Sequence, residues 1–416
     1  MRIVFTAPGY KPAWRIGGPV ASVSALAEGL VRRGDEVLVL TSNSNLDEDL
    51  DVPIDRPVEL DGVRVIYLRR SQPLKKLLPR VGYFAKSMGF LYSPRLRQAL
   101  DAAVPHADLV HTHLPFAYQT YAGAHAAFRH RKPFFYHQRG VLGPHHLAFR
   151  SLKKRAYLAL LEKPLLRRAT TLIALTEAEV RSYRQLGLSV PCAVVPNGID
   201  ARAFDGSCDH RFFEQWGIRP GHSVVLFLGR VHPTKGADLL LEAFARISAA
   251  VPDARLILAG PDEFELAASF RSRAHSLGLA QRVVFPGLVH GEAKRQLLLR
   301  ADLFCLPSLA EGFSMAVLEA LAARCAVLLS PGCNFPEVQA AGAGLVVPRD
   351  AHAIATSLQH LLSAPECLRQ MGEQGRALVQ SQYSWEQITD RMVEVYQEGI
   401  ERHRAAAQGR HMQRAV

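Results

Sequence analysis

Only 8% of this 416-residue chain is aromatic, and its six cysteines are scattered. Cys192, Cys208, Cys305, Cys325, Cys333 and Cys367 form no paired short spacing of the metal-ligand kind. A reduced, cytosolic protein is the expectation from that usage. No stretch approaches the roughly 20 apolar residues that span a bilayer, so no transmembrane anchor is expected. The opening "MRIVFTAPGY" runs straight into a short apolar strand, without the longer apolar core of a secretory signal. No internal repeat is visible. No basic stripe is interleaved with stacking aromatics at a recognisable motif, which argues against a nucleic-acid binder.

What is present is a globular composition, 48% hydrophobic and 21% charged. The length suits two or three domains. The net charge is +12 and the pI about 9.6, a balance that favours anionic partners. The excess is concentrated in the first half: "LRRSQPLKKLLPR", "YSPRLR", "HRKPFFYHQR" and "RSLKKRAYLALLEKPLLRR". Lys75, Lys76, Arg80 and Lys86, with leucines and phenylalanines between them, suit an anionic membrane surface or a solvated basic face. Arg150, Lys153, Lys154 and Arg155 would extend that face. The acidic run "LDEDLD" (Leu46 to Asp51) lacks a supporting histidine and reads as a solvated loop.

Strand and helix signals alternate along both halves. "RIVFTA", "EVLVLTS", "VRVIYLR", "ADLVHTH", "KPFFYH" and "TTLIALT" are short apolar runs in the first. "SVVLFLG", "ARLILAG", "RVVFPG", "DLFCLPS", "CAVLLSP" and "AGLVVP" follow in the second. Such runs suit parallel strands buried on both faces, and the alternation predicts two doubly wound α/β domains meeting near Pro196 to Ala203. Thr176 to Glu179 has the spacing of a capping box. Tyr383 to Arg404 reads as a helix, with a frayed tail beyond it.

Two stretches of the second half carry candidate chemistry. In "LFLGRVHPTKGADLL", Arg230 and Lys235 lie in the loop between a strand and a helix, flanked by Gly229 and Gly236. Fixed cations there suit a diphosphate, because ligands of open α/β sheets bind beyond the carboxyl ends of strands. Two ordinary surface cations are the plainer alternative. In "LAEGFSMAVLEA", Gly312 to Ser314 opens a helix whose first amides lack partners, and an anion is favoured at that end. Glu311 precedes the helix and Glu319 lies inside it. A sugar hydroxyl suits Glu311 and a ribose diol suits Glu319; a first-turn acid and a surface residue are the alternatives.

These residues, with "GGPVASVSALAEGLVRRGDEVLVLTS", "ADLVHTH", "VPNGID", "LAGPDE", "VVFPGLV" and "GAGLVV", resemble the retaining glycosyltransferases of the GT-B fold, family 4. The resemblance covers nearly all of residues 1 to 385. It implies two Rossmann-like domains facing across a cleft. Residues 1–195 would receive the acceptor and 196–382 the nucleotide sugar, and 383–416 would include a helix returning to the first domain. It implies transfer of a hexose-type sugar from a nucleotide-diphosphate sugar to a saccharide or lipid-linked acceptor, in exopolysaccharide or lipopolysaccharide assembly. No obligatory metal or other cofactor is implied. Arg230, Lys235 and Glu311 would be catalytic. Gly17, Gly18, Gly229, Gly312, Phe313, Ser314, Met315 and Glu319 would line the donor, with the Gly287 to Val289 loop at the base. The chain departs from the family in "YHQRGVLGPHH": many relatives have histidine directly before the glycine, contacting the donor sugar. Arg139 stands there instead, and His137 lies two residues earlier. Either residue, or His113 of "VHTH", is a candidate sugar or acceptor contact. His111 and His113 share one strand face, which suits a metal pair, a satisfied loop histidine or an acceptor contact. A sugar-nucleotide epimerase of the same architecture is the alternative function.

Overall fold

The computed structural model describes residues 1–46, 48–71, 92–143, 151–262 and 265–414. Lys75, Lys76, Arg80, Lys86, Arg150 and Asp47 lie outside the described residues, as do the side chains of Lys153 and Lys154. The chain divides into Met1–Asn197 with Trp385–Val416, and Gly198–Ser384. Both boundaries fall two residues later than the sequence reading places them. A backbone bridge between Ile199 and Ser384 holds both crossings inside the second unit.

The first unit is built on an eight-stranded sheet. Its strands are β1 (Arg2–Ala7), β2 (Glu36–Ser42), β5 (Pro57–Leu60), β6 (Val63–Leu68), β7 (Leu109–His113), β8 (Phe134–His137), β9 (Thr171–Ala174) and β10 (Cys192–Val194). The order is β10-β9-β8-β7-β1-β2-β6-β5, parallel except for the edge strand β5. All residues of β7, β8 and β9 are buried, which is why they read as unbroken apolar runs. Two further two-residue strands, β3 (Ser44–Asn45) and β4 (Glu48–Asp49), pair antiparallel. That pairing corrects the reading of "LDEDLD" as loop throughout. Glu48 forms an ion pair with Arg15 at 2.6 Å, and Asp49 pairs with Arg70.

Helix α1 (Gly18–Arg32) follows β1 and starts with Pro19 in its first turn. Val20, Val23, Leu26, Ala27 and Leu30 form its buried apolar stripe. Helix α2 (Tyr118–Arg129) follows β7, and α3 (Glu177–Gln185) follows β9. At α3 the capping box is only half made. Thr176 caps the Glu179 amide, but the Glu179 carboxylate turns away to the Leu175 amide at 2.7 Å.

The second unit holds a six-stranded, fully parallel sheet. Its strands are β11 (Ser223–Leu228), β12 (Ala254–Ala259), β13 (Val283–Gly287), β14 (Leu303–Leu306), β15 (Ala326–Leu329) and β16 (Gly344–Val346). Their order is β13-β12-β11-β14-β15-β16. Helices α4 (Ala237–Ile247), α5 (Gly291–Arg300), α6 (Met315–Ala322) and α7 (Pro365–Gln382) connect and cover it.

Helix α8 (Trp385–Arg414) then joins the first unit. It runs beyond Arg404, so the expected fraying of Ala405 onward is corrected: no proline interrupts the segment, and Ala405 to Ala407 are strong helix formers. Ile388, Met392, Tyr396 and Ile400, spaced by four, enter the core beside Phe5, Phe135 and Ile173. Glycine permits the close approach: a Cβ on Gly29 of α1 would stand 2.2 Å from Thr389 Oγ1.

Candidate active site

In each sheet the strand order reverses once. In the first unit β1 leads to β2 and β6 on one side, while β7 leads to β8 and β9 on the other. In the second, β11 leads outward to β12 and β13, and β14 to β15 and β16. The crevice beyond the carboxyl ends of strands flanking such a reversal is where open α/β sheets bind ligands. Both candidate stretches of the second half emerge at the β11/β14 reversal.

The loops after β11 and β14 are tied together. The Leu309 amide donates to the Thr234 carbonyl at 2.7 Å, and Ser308 Oγ donates to the same oxygen at 3.2 Å. Gly236, at φ +77°, opens α4 so close to the second loop that a Cβ would meet the Pro307 carbonyl oxygen at 2.3 Å. Lys235 Nζ donates to both oxygens of Glu311, at 2.5 and 2.7 Å. The two side chains are 18% and 9% exposed. Two of the three ammonium hydrogens are therefore committed and one remains for a ligand. Arg230 is exposed at the end of β11 beside Gly229.

Helix α6 begins at Met315 with no side chain capping its amides. Gly312 and Ser314 are half-buried before it, while Phe313 is buried, its ring 4.8 Å from that of Phe335. Glu319 meets Lys294 of α5 at 2.6 Å through Oε1, and its other oxygen has no partner among the described residues. That ion pair draws α5 against α6. The loop before α5 carries the half-buried Val289, with the exposed Leu288 beside it.

In the first unit, Gly17 (φ +96°) precedes the uncapped start of α1, and a Cβ on Gly17 or Gly18 would meet nothing within 4 Å. His113 and His137 are withdrawn into the core, at 0% and 1% exposure. They form a cluster with His111, whose candidate ligand nitrogens lie within 4.8 Å of one another. The rings of His111 and His113 are 4.0 Å apart, and Tyr396 Oη lies 2.6 Å from His111 Nδ1. Burial, followed by the positive charge of Arg139, holds His111 and His137 well below the usual imidazole range. His113 is lowered mainly by burial too. Its Nδ1 accepts from Arg139 Nε at 3.3 Å, which leaves its proton on Nε2. That nitrogen offers the cluster a hydrogen rather than a lone pair, and a guanidinium stands beside it. The set therefore fits a divalent cation poorly.

Residues 209–378 match the family model described as glycosyl transferases group 1, and residues 17–198 match that of the glycosyl transferase 4-like domain. The chain belongs to the group 1 glycosyltransferases. This group 1 chain is 24% identical to an uncharacterized glycosyltransferase of Methanocaldococcus jannaschii, over 96% of itself and 99% of the relative. It is 27% identical to a D-inositol 3-phosphate glycosyltransferase of Jonesia denitrificans, with 98% and 96% covered. With several further relatives it aligns over only about half of either length. Anabaena HepE, solved with UDP-glucose, shares its fold at a TM-score of 0.72 and 22% identity, with 96% and 100% covered. Among the described residues no helix is long and apolar enough to cross a membrane.

Sequence reasoning missed the residues that hold this transferase site in place. Lys294 pairs with Glu319, Asn334 Nδ2 donates to the Glu311 carbonyl at 2.7 Å, and Arg349 Nε donates to the Pro307 carbonyl at 2.9 Å. Each lies on a neighbouring element, and nothing local marks it. In the first unit, Asn197 of "VPNGID" accepts from Arg139 Nη1 at 3.2 Å.

Proposed function

We propose that this chain transfers a hexose-type sugar from a nucleotide-diphosphate sugar with retention of anomeric configuration. The observation that carries the reading is the convergence, at one strand-order reversal, of the Lys235–Glu311 pair and the uncapped start of α6. Lys235, through its remaining hydrogen, and Arg230 neutralise the diphosphate as it departs. The amides of Phe313, Ser314 and Met315 take a phosphate in place of a cap. Glu311 keeps spare lone pairs for sugar hydroxyls, and the unpartnered oxygen of Glu319 accepts from the ribose. The acceptor oxygen attacks the anomeric carbon from the face that the diphosphate leaves. The new glycosidic bond forms as the old carbon–oxygen bond breaks, and the acceptor proton passes to the departing phosphate oxygen. Glutamate-held lysine, arginine and helix amides supply the positive field that a metal supplies elsewhere, so chelator treatment leaves the rate unchanged on this reading.

A saccharide or lipid-linked saccharide is the acceptor class, in polysaccharide or lipopolysaccharide assembly at the cytoplasmic membrane face. Support for a surface comes from Leu152, Leu160 and Leu161, exposed at 82%, 74% and 40% near the exposed Arg155. The test is product analysis with a panel of nucleotide sugars, in wild type, Lys235→Ala and Glu311→Ala. Losses of about 100-fold or more in transfer are expected, the scale of a lost charge-stabilising contact. Variant rates near wild type, or donor turnover that needs no acceptor, would sink the reading.

A further inference from the structure

Among the described residues of the first unit, a buried cation, Arg139, forms no direct ion pair with a carboxylate. Arg139 is 8% exposed and follows β8 directly. Its Nε donates to His113 Nδ1 at 3.3 Å, and its Nη1 donates to Ser22 Oγ at 2.8 Å and Asn197 Oδ1 at 3.2 Å. All three acceptors are neutral. Among the described residues no carboxylate forms an ion pair with it. Glu179 acts on it only through space. Burial pushes that carboxyl up to about 7, while the charge of Arg139 pulls the other way. A buried charge whose hydrogen-bond acceptors are all neutral is costly, and an incoming anion would offset that cost.

The surroundings fit an incoming oxyanion. Ser22 is the fifth residue of α1, so the guanidinium lies beside the second turn of a 15-residue helix whose start no side chain caps. The adjoining Gly17 and Gly18 face open space. Arg139 and Gly140 adopt φ +50° and +86° in succession, a left-handed backbone that favours glycine and here carries an arginine instead. Guanidinium geometry matches carboxylate and phosphate groups.

We propose that Arg139, with the opening of α1, forms an oxyanion site for a charged sugar: a substrate bearing a carboxylate or a phosphate monoester in addition to the donor diphosphate. The inference rests on the transferase reading, because that reading gives the diphosphate its own cations, Arg230 and Lys235, in the second unit. The charge at Arg139 is then surplus to a neutral hexose donor.

The test uses pairs of probes that differ in that one charge, with the full chain and its Arg139→Gln and Arg139→Lys variants. UDP-glucuronate against UDP-glucose, and GDP-mannuronate against GDP-mannose, report a carboxylate on the donor. Glucose 6-phosphate against glucose reports a phosphate on the acceptor side. Calorimetric affinities are the readout. In wild type the charged member of at least one pair is expected to bind at least about tenfold more tightly. Arg139→Gln should abolish that preference, while Arg139→Lys keeps part of it. The pair that shows the preference identifies the source of the charge. The proposal is overturned if wild type shows no preference in any pair, if the preference survives in Arg139→Gln, or if that variant weakens charged and neutral members equally. Should Arg139→Gln fail to fold, the wild-type preference and its partial retention in Arg139→Lys decide. Failure of the transferase reading looks different: no nucleotide sugar, charged or neutral, then stabilises the chain.

Discussion

At the scale of single residues, the site is a set of charges restrained before any ligand arrives. Lys235 and Glu311 hold each other in a partly buried, two-pronged pair. Removing one member leaves the other without its countercharge, so Lys235→Ala should cost about 1–3 kcal/mol of stability, and adding Glu311→Ala should cost less than the sum. Urea unfolding of the two single variants and the double variant measures this; additive effects would mean the pair is loose. Glu179 gives a pH prediction. Burial raises its carboxyl to about 7, above the ordinary glutamate value of about 4.3. The folded state therefore favours the protonated form. The associated stability is complete below the unfolded value, declines as pH rises, and is gone above about 7. Glu179→Gln removes this dependence while keeping an acceptor for the Leu175 amide. Relative to wild type, the variant should gain on the order of 1–3 kcal/mol between pH 4.5 and pH 8. Melting curves across that window check it, and parallel pH profiles for the two proteins would refute it.

At the scale of elements, close backbone approach sets the site. The start of α4 and the loop after β14 touch through Gly236, which has both a left-handed φ and a carbonyl 2.3 Å from the place of a Cβ. Gly236→Ala should destabilise the second unit by about 2 kcal/mol or more and displace Lys235 from Glu311. A crystal structure of the variant with the ion pair intact would show the constraint to be weaker than this. Gly18→Ala makes the opposite case. Its Cβ meets nothing, so the melting temperature should barely move, while transfer should fall if a substrate approaches this turn. The element pattern itself was legible: short apolar runs between Gly and Pro signals became the buried parallel strands β7 to β9, β11, β12, β14 and β15. The half-made capping box at Thr176 was not legible. Spacing places Glu179 near the cap but does not say that the Leu175 amide will compete for its carboxylate.

For the whole molecule, the chain leaves its first unit once and returns to it. Helix α8 inserts Ile388, Met392, Tyr396 and Ile400 among the apolar residues of the first sheet. At about 1.5–3 kcal/mol per buried large apolar side chain, its packing is worth on the order of 10 kcal/mol, comparable with the stability of an entire domain. A chain ending at Ser384 should lose the cooperative unfolding of the first unit and keep that of Gly198–Ser384. Hydrogen exchange resolved by segment measures this; protection of β1, β7 and β8 at wild-type levels would contradict it. Helical periodicity after Tyr383 announces such a helix, but it weakens after Arg404, where the helix formers Ala405 to Ala407 extend the element without an apolar stripe.

The sequence by itself determined the two α/β units, the strands buried on both faces, the loops that carry Arg230, Lys235, Glu311 and Glu319, and the family. These follow from periodicity, from turn residues and from motifs a few residues long. Only the tertiary structure decided which charges meet. Lys294 reaches Glu319 from another helix, and Asn334 and Arg349 brace loops far from them in the chain. His113 and His137 sink into the core, and Arg139 is fixed by Ser22, His113 and Asn197. The physical reason is common to all of them. Such contacts join residues tens to hundreds of positions apart, and their geometry is set by how helices and loops pack over the sheets, which short-range patterns do not encode.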